Sequence, residues 1–378
     1  MTPDNRHDRA ARPASTMHAR NSTAAILQAP IMAVVLAALL AGQTVAQVPG
    51  RLLLSNAPSI SGNIVAVSPI GVEIDVRGEQ QTVPIERIRE VIFTAEPQSL
   101  KAARVAIMRG QAAQAIDDLA KIDPAEIDGA EQLIVDELEF VKAAALGGQA
   151  AASGENLAAG EKAVRDFLGK HPQSHHVFPM QELLAKLLAR SGKFADAAAA
   201  LAPLERGPPA YRVRATAARG GLFYDQKKYE EAMREFTAAG QITTAPQDKA
   251  SAAQKRSAEL GAARCLARQG KGADGVAAVE RIIGEMDPDD GEILGQAYNV
   301  LGDAWRSVGK EQDAIIAFLT VSLVYNSVGE TRAEALYNLA QLWDQAKYPQ
   351  RAEEARQELA SAYPDSIWAR KLADGKGT

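Results

Sequence analysis

Three histidines fall within six residues in Lys170-His171-Pro172-Gln173-Ser174-His175-His176. Imidazoles ligate transition metals and move protons near neutral pH, so this cluster is the first candidate for chemistry. Two features of the chain oppose it. No carboxylate or cysteine lies close by in sequence, and Pro172 blocks the helical i, i+4 spacing that would aim two rings at one ion. The pattern reads as an exposed loop. A metal protein or hydrolase at His171–His176 is the lesser alternative, and no metal site is assigned.

The acidic run Asp287-Pro288-Asp289-Asp290-Gly291-Glu292 has some of the composition of a calcium loop, but Gly291 stands where that loop needs its third oxygen ligand and Glu292 where it needs glycine. It reads instead as a loop capping the next helix. Cys265 is the only cysteine, which rules out a disulfide within the chain, and its helical setting suits a small core residue. There is no phosphate-binding Gly-rich loop ending in Lys-Ser/Thr and no Gly-x-Ser-x-Gly elbow. No catalytic residue and no cofactor is assigned, and the chain reads as non-enzymatic.

The 378 residues are 47% hydrophobic and 24% charged, with only 5% aromatic and a net charge of −5. Residues 1–46 read as a signal peptide: Arg9, Arg12 and Arg20 precede the apolar run from Ile31 to Ala41, and Thr44-Val45-Ala46 offers small residues for cleavage near Ala46. That run is about half the ~20 apolar residues that span a bilayer, so no stable membrane insertion is expected after cleavage. The expected location is periplasmic or secreted. An acidic mature chain also argues against nucleic acid as a partner.

Residues 47–95 read as a small β module. Period-two apolar spacing marks strands at Ile64 to Val67, Val72 to Val76, Val83 to Ile85 and Ile88 to Phe93, with turns at Ser68-Pro69-Ile70-Gly71 and Arg77-Gly78-Glu79. Three or four antiparallel strands are expected, resembling a partial barrel of the SH3-like or Sm-like type. A segment this short buries too little apolar surface to stand alone, so it should pack on the first helices. From Ile60 to Phe93 it holds three arginines, five acidic residues and one aromatic, Phe93, so it lacks the stacking platform and basic groove of an RNA binder.

Positions 96–374 read as helices, and near the C-terminus one two-helix signature is spelled twice. Tyr298, Leu301, Gly302 and Trp305 precede Ala314 and Phe318; Tyr337, Leu339, Ala340 and Trp343 precede Ala352 and Leu359. A small residue on each second helix recurs at Ala115, Gly160, Ala197, Ala232, Gly275, Ala314 and Ala352, which fits about seven units. The turns share a form too: Gly192-Lys193, Lys227-Lys228, Gly270-Lys271 and Gly309-Lys310 each lead into an acidic helix start. Prolines at 172, 209, 288 and 364 are expected to close units, with Ser174 and Ser366 capping the helices that follow. The pattern resembles the tetratricopeptide repeat, most clearly over 211–364, and the Pro-x-Ser closures are similar to repeats of bacterial envelope proteins. The fold class that follows is mainly α: a solenoid of helix-turn-helix repeats behind a small antiparallel β module.

The resemblance implies a concave wall built by the first helix of each unit. On it would lie Arg214, Tyr224, Arg264, Arg268, Gln296, Asn299, Asp303, Arg306, Tyr337, Gln341 and Asp344, side chains able to grip a peptide or a protein surface. The lysine and asparagine clamp by which chaperone-binding relatives hold a C-terminal carboxylate is not reproduced. The function expected is an extracytoplasmic scaffold or adaptor for a protein or peptide partner in the cell envelope. Self-association is the alternative, and an exposed apolar face around Ile367-Trp368 would favour it.

Overall fold

The computed structural model describes residues 47–375 except 56 and 247. The proposed signal segment and its cleavage position lie outside the described residues.

Five strands form one antiparallel sheet: β1 (Val48–Leu54), β2 (Ile60–Ser68), β3 (Gly71–Val76), β4 (Glu79–Pro84) and β5 (Ile88–Phe93), in the order β4-β3-β2-β1-β5. The strand beyond the expected three or four is β1. Its Pro49-Gly50 start and Leu52-Leu53-Leu54 run hide any alternation of residue types. Its burial nevertheless alternates, with Val48, Gly50, Leu52 and Leu54 turned inward. Leu52 pairs with Ile60 on one side and Val91 on the other, so β1 is the central link between β2 and β5. The inward face of the sheet is continuous with the helical core through Phe93, Leu100, Ala103 and Val141.

Among the described residues the longer helices follow as seven consecutive pairs. These are α1 (Gln98–Met108) with α2 (Ala112–Leu119), then, after the single-turn α3 (Pro124–Ile127), α4 (Gln132–Ser153) with α5 (Leu157–Lys170). Next come α6 (Val177–Arg190) with α7 (Phe194–Glu205), α8 (Pro209–Asp225) with α9 (Tyr229–Gln241), and α10 (Lys249–Arg268) with α11 (Gly272–Glu285). The last pairs are α12 (Gly291–Ser307) with α13 (Glu311–Leu323) and α14 (Gly329–Gln345) with α15 (Pro349–Ala362), closed by α16 (Ile367–Ala373). This is a tetratricopeptide-like solenoid. No helix among the described residues is long and apolar enough to cross a membrane.

The turn inside most pairs has one construction. Gly192, Gly270 and Gly309 have φ near +75°, while Lys227 and Lys347 hold φ of 61° and 66° at the same place. The residue after each donates its N–H to the carbonyl five residues back: Lys193 to Leu188, Lys228 to Phe223, Lys271 to Leu266, Lys310 to Trp305 and Tyr348 to Trp343, at 2.8–3.0 Å. A left-handed residue thereby satisfies a carbonyl that the helix end would leave open.

The seven small residues are all buried on second helices, with Ala115, Ala197, Ala232, Ala314 and Ala352 fully enclosed. They let the helices approach until Phe318 lies flat against Gly302, where an added Cβ would sit 2.6 Å from the ring. Leu301, Leu339 and Ala340 fill the same contacts. Trp305 and Trp343 are half-buried at the edge, each with a cation over its ring, Lys310 at 4.3 Å and Arg351 at 4.9 Å.

Several local expectations shift. Pro209 opens α8 instead of closing α7, because the ring's fixed φ suits a first helical turn. Ser366 caps α16 through Ala369 N–H, whereas Ser174 accepts from His176 N–H and shapes the preceding turn. In the acidic run, Asp290 stands before α12 without a side-chain cap, and Asp287 accepts from Asp289 N–H instead. Cys265 is fully buried, and burial pushes its thiol up to about 11, so it is an inert core residue.

Candidate functional site

The polar residues expected on the concave wall are engaged mostly with one another. Arg264 on α10 reaches Glu334 on α14 at 3.0 Å and lies 3.4 Å from Asp303 on α12. Burial by itself would lower the Arg264 pKa, but these carboxylates hold it above its ordinary value. Arg268 donates to the Tyr224 hydroxyl at 3.0 Å, Ser257 donates to Gln296 at 2.9 Å, and Arg306 donates to Gln341 at 3.2 Å. Arg214 pairs with Glu182, and Asp344 with Arg356. Consecutive first helices are thus laced by a ladder of polar bonds.

Two of the expected residues lie inside the repeat contact, not on the open wall. Asn299 is fully buried and donates to the Thr331 carbonyl at 2.8 Å, tying α12 to α14. Tyr337 is buried against Trp368, with ring centroids 5.2 Å apart. The apolar end face that would have favoured self-association is not open at Trp368, which packs with Leu372 on the core of α14 and α15.

Sequence reasoning missed the charged residues that are not locked in bridges. Lys186 and Arg190 on α6, Asp225 on α8 and Lys371 on α16 lie close enough to act on one another electrostatically, and the Glu330 carboxylate on α14 acts on the three cations. Burial depresses the Lys186 ammonium and the Arg190 guanidinium, and Glu330 opposes both shifts across more than 130 residues of sequence. Arg370 on α16 bridges back to Glu155, in the turn before α5, at 3.1 Å. The array therefore coils until its last helix meets its early units, enclosing charges of both signs.

The histidine segment is not an exposed loop. His175 is 7% exposed, and Glu137 arrives beside it from α4, a carboxylate that proximity in sequence could not supply. His176 donates from Nε2 to Glu137 Oε2 at 2.8 Å and stacks on Phe140 with centroids 3.4 Å apart. Glu137 Oε1 accepts from Arg104 at 2.9 Å. Arg104, on α1, also holds Glu96 at 2.5 Å and Glu90, from β5, at 3.0 Å. Burial opposes charge on Glu137, yet His176 and Arg104 keep its carboxyl well below the usual range; at Glu96 burial wins and the pKa rises.

His175 has no hydrogen-bond partner on either ring nitrogen, and burial holds its imidazole neutral, with a pKa lowered to about 3. Leaving such a buried group unsatisfied costs about 1–3 kcal/mol. Beside it lies a pocket of about 220 Å³ lined by Asp136, Glu137, His171, Gln173, Ser174 and Phe93, among others. His171 faces different carboxylates, Glu139 at 2.8 Å and Asp136 at 3.5 Å.

No protein-family model matches the sequence, and no curated protein matches it. Among solved structures the chain is similar to a tetratricopeptide repeat protein from Parabacteroides merdae, with 17% identity over 71% of this chain and 94% of that one, at a TM-score of 0.45. It is also similar to a Rap protein complexed with Competence and Sporulation Factor, at 12% identity, 74% and 79% coverage and a TM-score of 0.48. NprR in complex with its cognate peptide NprX matches at 11% identity, 70% and 77% coverage and a TM-score of 0.45. Likeness at this level does not bear on what the present chain binds.

Proposed function

We propose that this chain is a non-enzymatic scaffold that holds a protein or peptide partner within the concave side of its solenoid. The observation that carries the proposal is the convergence of Lys186, Arg190, Asp225, Glu330 and Lys371, from four separate helices, without fixed ion-pair partners among them. Most of the other polar side chains named on this wall already bond to one another, so these charges are the ones open to a ligand, and an extended peptide presents backbone and charges of both signs. The Arg9–Ala46 segment supports an extracytoplasmic location for the encounter, with a partner in the cell envelope.

The test is capture of partners by residues 47–378 from an envelope extract of the native organism, against a variant carrying Lys186→Glu and Arg190→Glu. Among the described residues these side chains make no salt bridge, so the variant should keep its helicity and melting temperature while losing the partner. A folded variant that retains every partner would overturn the concave-side reading.

Self-association is the second reading, and α13 carries it. Ile316 and Leu323 on this helix, and Val324 just after it, are each more than 60% exposed. Sedimentation of the wild type and Leu323→Lys separates the two readings: a dimer that dissociates in the variant supports self-association, and a monomer in both removes it.

A further inference from the structure

We infer that Glu137, His175 and His176 form a binding site for one divalent first-row transition metal ion, Zn²⁺ foremost. Their candidate ligand atoms, one carboxylate oxygen and two imidazole nitrogens, all lie within 4.8 Å of one another. Glu137 Oε2 is 2.8 Å from His176 Nε2 and 4.0 Å from His175 Nε2. Ligands about 2.0–2.2 Å from zinc in a tetrahedral arrangement stand ~3.3 Å apart, between those two separations, so small side-chain rotations suffice.

Three independent features point to a cation. His175 is buried with both ring nitrogens unpartnered, so neither is already committed to a hydrogen bond that a metal would have to break. Carboxylates also outnumber the fixed cation: Glu90, Glu96 and Glu137 surround the single guanidinium of Arg104, an acidic surrounding in which a divalent ion is electrostatically favoured. Finally, the bond from Arg104 to Glu137 Oε1 at 2.9 Å leaves Oε2 aimed at the histidines, as an orienting partner behind a ligand does.

On binding, Glu137 Oε2 exchanges the His176 N–H for the metal. The Nε2 proton moves to Nδ1 of the same ring, or to solvent if the ring is charged, and the Nε2 lone pair coordinates. Three protein ligands leave a fourth position for water, and the adjoining pocket has room for one. Nitrogen donors in two of three places exclude Mg²⁺ and Ca²⁺ as the favoured ions.

Calorimetric titration of ZnCl₂ into the purified full chain, freed of metal by chelator and dialysis, tests the site. One Zn²⁺ per chain at micromolar affinity or tighter is expected, with a rise in melting temperature that MgCl₂ does not produce. Co²⁺ should give the visible absorption of a tetrahedral site. His175→Ala and His176→Ala should each weaken Zn²⁺ about 100-fold or more, while His171→Ala leaves it unchanged. His175→Ala removes an unsatisfied buried group, so folding should survive it, and circular dichroism checks this. Absence of saturable one-to-one binding by the wild type overturns the inference, as does equal affinity in the His175→Ala and wild-type proteins.

Discussion

At the junction of the sheet with α1 and α4, three carboxylates close around Arg104, whose side chain is only 5% exposed. At the α12–α15 contact there is no comparable charge; Gly302, Phe318, Leu339 and Ala340 meet as flat apolar surfaces, and the ion pairs stay on the wall above them. The second region is held by packing that any chain with the right small residues at the right spacing can form. The first is held by a charge arrangement that works only when every member is present. One region tolerates rearranged polar residues and resists added volume. The other tolerates no lost partner.

The sharpest way to break this comparison is Arg104→Ala, which strands Glu96, Glu90 and Glu137 out of water. A loss of about 3–5 kcal/mol in urea unfolding is expected. A loss below 1 kcal/mol would mean that the cluster is hydrated and no different from a surface ladder.

Acid separates the regions next. Burial lowers the His175 pKa from 6.5 to about 3, so between those values the unfolded chain takes up a proton that the folded chain refuses. Stability should therefore fall as the pH drops from about 6.5 towards 3, by on the order of 4 kcal/mol at most. The depressed Glu137 adds a loss in the same direction below its ordinary 4.5, since its contribution needs the carboxylate charged. His175→Leu in metal-free buffer should flatten the limb between pH 6.5 and 4.5, read as the denaturation midpoint against pH.

Gly302→Ala probes the packed region, because its methyl would meet the Phe318 ring at 2.6 Å. A cost of about 1–3 kcal/mol is expected. In hydrogen exchange the lost protection should stay within α12–α15, and spread to the sheet would show that the two regions unfold as one. The smallest effect belongs to Lys347→Gly. Relief of a left-handed non-glycine residue at φ 66° outweighs the added freedom of the unfolded chain, giving a net gain of about 0.5–1 kcal/mol in thermal melts.

The concave wall was half legible in the sequence. The repeat resemblance named Arg264, Asp303 and Arg306 for the wall, and the structure places them in bonds between neighbouring first helices. The resemblance could not tell that Asn299 and Tyr337 turn into the contact, since one residue's step around a helix decides between wall and core. Lys186, Arg190 and Lys371 went unnoticed, because only the coiling of the whole array brings α6 opposite α14 and α16.

The sequence by itself determined the helical pairs, their left-handed turns and their small-residue contacts. Each depends on residues a few positions apart or on a repeating step, and such information is local. Only the tertiary structure decided what surrounds the histidines. Glu137 lies 38 residues before His175 and Arg104 another 33 earlier, in segments without a shared period, and nothing short of the packed sheet and helices places them in one dry volume. The packed site then does what composition cannot state: burial makes an imidazole neutral, Arg104 and His176 hold a carboxylate charged against burial, and an apparent loop becomes a candidate site.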